Sequence, residues 1–126
     1  MPSSVKDMLS AANASVPRIT PAEAADLMER GEALVVDVRD APELDAVGKV
    51  AGAKHVPRGM LEFRADPDSP YHDPAFDRDH TVILYCASGG RSALAGRTLQ
   101  EMGYRDVRNL GGFKDWAENG GAVDRS

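Results

Sequence analysis

The sequence predicts an α/β fold: a single domain with a mostly parallel central sheet and helices on both faces. Three observations carry that expectation. Helix-type and strand-type signals alternate along the chain, the pattern of parallel sheets with crossover helices. Leu34-Val35-Val36-Asp37-Val38 is an apolar run with almost no polar alternation, as in a strand covered on both faces. Thr81-Val82-Ile83-Leu84-Tyr85 is a second such run, and it leads through Cys86 and Gly89-Gly90 into a helical pattern. With 126 residues the chain suits one core, stable without covalent staples. The expected organisation is an N-terminal appendage over residues 1–17, one domain over 18–121 and a C-terminal tail over 122–126.

Within the appendage, Val5-Lys6-Asp7-Met8-Leu9 begins a short amphipathic helix that ends before Pro17. Thr20-Pro21-Ala22-Glu23 opens the next helix with an N-cap, a proline at the first helical position and a capping-box glutamate. Ala24, Leu27 and Met28 supply its apolar stripe, and Gly31 stops it. After the strand at 34–38, residues 41–46 fit a short helix and Ala53 to Val56 a brief strand before Pro57. A further helical segment follows from Gly59 to Phe63. Arg64 to His80 is a long polar connection with Pro67, Pro70 and Pro74, a length that is often functional or mobile. Tyr71 and Phe76 are expected to pin it to the surface, the alternative being a wall on the substrate side. After strand 81–85, the helix from about 91 to 102 places Leu94, Ala95, Thr98, Leu99 and Met102 on one broad face. Val107 to Leu110 is the last strand, and Gly111-Gly112 leads into a helix anchored in the core by Phe113 and Trp116.

Composition narrows the function classes. The formal net charge is −5, with both signs scattered rather than blocked, which argues against nucleic acid or an anionic membrane as partner. No apolar run approaches the length of a membrane span, and residues 1–17 lack the pattern of a secretory signal. A single cysteine excludes an internal disulfide framework and suits a reducing compartment. A cytoplasmic protein is the expectation.

That cysteine is the chemical focus. A lone cysteine is by default a small buried hydrophobe, but the context of Cys86 argues for more. It ends a strand and precedes Ala87-Ser88-Gly89-Gly90-Arg91-Ser92, a tight loop opening a helix. Such a loop presents backbone N–H groups and a helix N-terminus to the sulfur, and both favour thiolate, the reactive form. Two glycines let the backbone approach an anion, and Arg91 adds a planar fork of donors suited to an oxyanion. Cys86 and Asp37 both fall at carboxyl ends of predicted parallel strands, where ligands bind in such sheets. Two readings stand for Asp37 and Arg39: they order the loop or line the site mouth, or Arg39 pairs with Glu43 or another carboxylate. Ser88 and Ser92 are either hydrogen-bond donors to the site or plain turn and helix-cap residues. His55, His72 and His80 have no metal-ligand spacing, and neither a phosphate-loop lysine nor a dinucleotide fingerprint occurs. No metal and no organic cofactor are expected.

Four segments together resemble the rhodanese family of single-domain sulfurtransferases. They are Asp37-Val38-Arg39 with Glu43; Gly52-Ala53-Lys54-His55-Val56-Pro57; Tyr85-Cys86 through Arg91-Ser92; and Asn109-Leu110-Gly111-Gly112-Phe113 with Trp116. They stand in the family's order and span about Arg18 to Gly121. One departure is Gly48-Lys49-Val50, where members often carry Gly-His-Ile; it touches packing or surface rather than chemistry.

The resemblance implies that the Cys86 thiolate takes a sulfane sulfur from a small anionic donor such as thiosulfate and becomes a persulfide. The N–H groups of Ala87, Ser88, Gly89, Gly90 and Arg91 then stabilise it, Arg91 holds the donor, and cyanide, a small thiol or a protein thiol accepts the sulfur. The alternative in another class is a non-catalytic rhodanese-like module that binds or regulates a protein partner, which would need neither the cysteine nor its loop. A phosphatase or arsenate reductase is disfavoured, because those relatives carry a loop one residue longer than the four residues between Cys86 and Arg91.

Overall fold

The computed structural model describes residues 2–125; Met1 and Ser126, the outer ends of the expected appendage and tail, lie outside the described residues. In chain order the first half comprises α1 (Val5–Ser15), α2 (Pro21–Glu29), β1 (Ala33–Asp37), α3 (Ala41–Val47), β2 (Lys49–Val50) and β3 (Lys54–His55). A 3₁₀ turn (Arg58–Met60) then runs into α4 (Leu61–Ala65). The second half comprises β4 (Thr81–Cys86), α5 (Gly90–Glu101), β5 (Val107–Gly112), α6 (Phe113–Glu118) and β6 (Val123–Asp124).

The two uninterrupted apolar runs form the middle of the sheet. β1 and β4 pair in parallel from Ala33 with Thr81 to Asp37 with Tyr85. β5 adds to the far side of β4 and β3 to the far side of β1, giving the order β3-β1-β4-β5 with every pairing parallel. The α/β expectation therefore holds. Strand alternation divides the core in two. Val82, Leu84 and Cys86 pack with Leu61 and Ala65 of α4 and Ala95 and Leu99 of α5. Ile83 and Tyr85 pack on the other face with Ala24 of α2 and Phe113 and Trp116 of α6. The capping box at Thr20 and Glu23 forms as its spacing predicts, with Pro21 at the helix start.

Several elements differ from their sequence reading. The N-terminal segment, whose packing the sequence leaves open, contributes Ala12 and Val16 to the buried residues, and α1 packs along α5. The buried face of α5 is Ser92, Ala93, Ala95, Gly96 and Leu99, so Leu94 and Thr98 are only half-buried. Small side chains win this face because α5 approaches the 16–17 segment closely: a Cβ at Gly96 would stand 2.9 Å from Val16 Cγ1. The C-terminal residues form β6, antiparallel to β2, and Trp116 Nε1 donates to the Ala122 carbonyl beside it. The 66–80 connection is held by turns in which Asp66, Asp73 and Asp77 carboxylates accept from backbone N–H groups two residues on. Phe76 is buried edge-on against Tyr104, whereas Tyr71 is 56% exposed and touches Phe63 rather than pinning the segment.

A buried charge cluster ties the carboxyl ends of the strands together. Asp37 accepts from the backbone N–H, Nε and Nη2 of Arg39 and, at 2.6 Å, from the Tyr85 hydroxyl. Arg39 Nη2 also donates to the Gly48 carbonyl, and Val50 N–H donates to the Tyr85 oxygen. The guanidinium lies 4.6 Å from the Phe113 ring centroid. Arg39 thus pairs with Asp37 and not with Glu43, and the pair is essentially withdrawn from water. Removing one partner of such a pair strands the other charge. Arg39→Ala is therefore expected to cost about 3–5 kcal/mol of stability, read from the chemical denaturation midpoint; an unchanged midpoint would refute the structural role.

Candidate active site

β4 delivers Cys86 to the carboxyl edge of the sheet, and α5 begins four residues later at Gly90. Between them the chain must reverse within three residues. Gly89 makes that possible with φ of +101°, a left-handed value that costs a side chain-bearing residue and not glycine. The loop lies flat against β5, where a Cβ at Gly112 would stand 2.6 Å from the Ala87 carbonyl oxygen. The glycine pair after Leu110 is therefore a packing requirement of the loop.

The result is a sulfur ringed by donors. Gly89 N–H donates to Cys86 Sγ at 3.0 Å, and the nearby backbone N–H groups of Ser88 and Ser92 add to the electrostatic support of the sulfur. The latter lies in the first turn of α5, whose N–H groups have no intrahelical acceptor. Ser92 Oγ lies 3.5 Å from Sγ. Cys86 is 1% exposed, so a reactant must enter through the loop to meet the sulfur. Burial pushes the thiol up, but the Ser92 hydroxyl and the N–H groups of Ser92, Ser88 and Gly89 outweigh it and leave it below its ordinary value. A buried thiol primed toward thiolate is equipped for nucleophilic attack on an electrophilic atom small enough to enter.

The other residues singled out in the sequence divide. Ala87 and Ser88 are exposed at the rim, Gly89 is buried and Gly90 half-buried. Ser92 is neither cap nor rim: it sits inside α5, wholly buried against Cys86. Arg91 does not point at the sulfur; it forms a two-pronged ion pair with Glu43 of α3, at 2.7 and 2.8 Å. Asp37 and Arg39 stand below the loop on the Tyr85 face of the sheet, where they hold the backbone rather than touch Cys86. His55 Nε2 donates to the Arg39 carbonyl, while His72 Nε2 is buried without a hydrogen-bond partner. No grouping of side chains fit to hold a metal ion occurs among the described residues.

Three residues of the site escaped the sequence reading. Asn109 is buried, accepts from Ser92 Oγ at 2.7 Å and from Gly111 N–H at 2.8 Å, and donates to the Gly89 carbonyl at 3.1 Å. Its signal was its place at the head of the Asn109-Leu110-Gly111-Gly112-Phe113 segment, just before the glycine pair. Arg18 fills the space a Cβ at Gly111 would take and lies close to Gly89. Val47, exposed at the end of α3, joins Phe113, Ala117 and Ala87 in a mostly apolar cleft of about 440 Å³ beside the loop.

Glu43 is held down to about 2, chiefly by its hydrogen bonds with Arg91. A carboxylate depressed in the folded state adds stability at neutral pH that is lost as pH falls from 4.5 toward 2. Both side chains are more than a third exposed or close to it, so solvent reduces the contribution to on the order of 1 kcal/mol. Glu43→Gln is expected to lose that amount at pH 7 and to match the parent near pH 2, measured by denaturation at both pH values. An equal gap at both would exclude the ion pair as its source.

Comparison with known proteins agrees with this geometry. The chain is 36% identical over 101 residues to thiosulfate sulfurtransferase GlpE of Pseudomonas aeruginosa (strain LESB58), covering 79% of this chain and 82% of that protein. It is 34% identical over 102 residues to the probable adenylyltransferase/sulfurtransferase MoeZ of Mycobacterium tuberculosis (strain CDC 1551 / Oshkosh), covering 79% of this chain but only 24% of that longer protein. Among solved structures, RPA3614 from Rhodopseudomonas palustris CGA009, a protein of unknown function described as a possible tyrosine phosphatase, is 42% identical with a TM-score of 0.88, covering 98% of this chain and 99% of that one. The rhodanese-like domain family matches residues 20–119. A strand-end cysteine inside a glycine-bent loop is thus set in a matching framework across most of the chain, which belongs to the rhodanese-like domain family.

Proposed function

We propose that this protein is a sulfurtransferase in which Cys86 carries the transferred sulfur as a persulfide. The observation that carries the reading is the buried Cys86 Sγ, 3.0 Å from the Gly89 N–H and 3.5 Å from Ser92 Oγ in the glycine-bent loop. The similarity to a thiosulfate sulfurtransferase supports the same reaction class.

In this reading the Cys86 thiolate attacks the outer sulfur of thiosulfate or a similar small anion. The new S–S bond forms at Cys86 as the donor's S–S bond breaks, and sulfite departs with the bonding electron pair. An acceptor (cyanide, a small thiol or a protein thiol) then attacks the terminal sulfur, and the electrons of the cysteine–sulfur bond return to the thiolate. This is covalent catalysis in two half-reactions. The loop N–H groups are set in place before charge arrives on the outer sulfur, so its stabilisation needs no reorganisation. Arg91 serves the donor by exchanging its Glu43 carboxylate for the donor's oxyanion, an exchange of like for like. A lone free thiol fits a reducing compartment, the cytoplasm in this reading. No described helix is long and apolar enough to cross a membrane.

The phosphatase description attached to the similar Rhodopseudomonas palustris structure is the less favoured reading here. Four residues separate Cys86 from Arg91, one fewer than in the loop of phosphate-handling relatives. Turnover of a generic aryl phosphate by the parent, lost in Cys86→Ser, would reverse the preference.

Thiosulfate treatment is expected to add the mass of one sulfur atom to the parent and none to Cys86→Ser, with cyanide removing it as thiocyanate. No added mass on a folded protein with a titratable Cys86 would leave another sulfur donor or a partner-binding module. Arg91→Ala is expected to raise the Michaelis constant for thiosulfate about tenfold, the scale of one charge-assisted hydrogen bond, and an unchanged constant would remove Arg91 from donor binding.

A further inference from the structure

Ser92 has one hydroxyl proton and two claimants for it. Asn109 Oδ1 lies 2.7 Å from Ser92 Oγ, and Cys86 Sγ lies 3.5 Å away on the other side. The orientation of the Asn109 amide is fixed by its surroundings. Its Nδ2 donates to the Gly89 carbonyl and its Oδ1 accepts from Gly111 N–H, so turning it over would oppose donor to donor and acceptor to acceptor. Oδ1 can only accept. While Cys86 is a neutral thiol, the chain of hydrogen bonds therefore runs one way: S–H to Ser92 Oγ, and Ser92 O–H to Asn109.

Loss of the thiol proton breaks that order. A thiolate has nothing to donate, and the lone pair that Ser92 turned toward it becomes repulsive. The hydroxyl then has to rotate its proton onto the sulfur, leaving Asn109 Oδ1 with Gly111 N–H alone. Both side chains are buried, so no water replaces the lost bond.

We propose that Asn109 is a positioning residue for chemistry at Cys86: it holds the Ser92 proton while the sulfur is neutral and yields it when the sulfur carries charge. The competition keeps the anionic sulfur from being over-stabilised, since every hydrogen bond on a thiolate is also a drag on its nucleophilicity. The inference takes Cys86 to be the working thiol, as proposed above.

The test measures the pH dependence of iodoacetamide alkylation, which is unambiguous because Cys86 is the single cysteine. Other charged groups around the loop are Arg91 with Glu43 and Asp40 from the α3 side, the Asp37–Arg39–Tyr85 cluster, and Arg18 over Gly111; no variant alters them. Asn109→Leu removes the competing acceptor, so the alkylation midpoint is expected to fall by about half a pH unit, on the scale of one buried hydrogen bond. In a Ser92→Ala background the same replacement is expected to leave the midpoint unmoved, because the proton in dispute is gone. A rise in the midpoint, or an equal shift with and without Ser92, would overturn the proposal and leave Asn109 a mere brace of the loop. Should Asn109→Leu not fold, Asn109→Asp serves: its carboxylate holds the Ser92 proton harder, so the midpoint is expected to rise more with Ser92 present than absent, and equal rises would overturn it. Alkylation needs no sulfur donor, so this test fails or succeeds independently of persulfide formation.

Discussion

A parallel strand covered on both faces has no freedom of register, and β4 is that strand. Its side chains alternate between two separate packing clusters, so Cys86 must face α5 if Tyr85 is to face Asp37. A slip of one residue would drive the tyrosine hydroxyl into the apolar cluster and turn the thiol away from its donors. The Asp37–Arg39–Tyr85 cluster makes that slip expensive, because the buried Asp37 carboxylate would lose the Tyr85 hydroxyl and Val50 N–H would lose its acceptor. Charge burial on one face of the sheet thereby fixes the position of the sulfur on the other.

The electrostatics of the thiol are a balance rather than a single effect. Burial alone would make Cys86 an inert hydrophobe, and donors alone in water would be screened and mobile. The loop combines them: the sulfur is withdrawn from solvent, and the only polar groups left to it are N–H and O–H groups held in place by the backbone. The short α5 segment that supplies Ser92 is itself locked by Gly96 against Val16, which links α1 and the chain just after it to the placement of the site.

What was legible in the sequence was local. Thr20 and Glu23, the apolar runs 34–38 and 81–85, and the Cys86 loop each announce themselves within a few residues. The features that escaped it depend on pairs far apart in the chain. Glu43 and Arg91 are separated by 48 positions, and Ser92 and Asn109 by 17, so no periodicity connects them. The face of α5 was misjudged for a different reason. Close helix approach selects alanine, glycine and serine, residues that carry little hydropathy signal. The short β2–β6 pair has too few residues to register as strand in any window. For Arg39 the sequence left the partner open between Glu43 and another carboxylate, and only the three-dimensional arrangement shows that Asp37, two residues before it, is that partner.

The recess of Cys86 has a consequence for oxidation. A disulfide between two copies requires their Cβ atoms to come within about 4 Å, and a sulfur lying beneath Ala87 and Ser88 cannot approach another equally recessed sulfur that closely. Cross-linking of copies through this cysteine is blocked by shape, whatever the redox potential of the surroundings. The thiol remains open to small oxidants that fit the loop, whose first product is a sulfenic acid. With no second cysteine among the 126 residues, only a thiol from outside, slender enough to pass the rim, can then restore it.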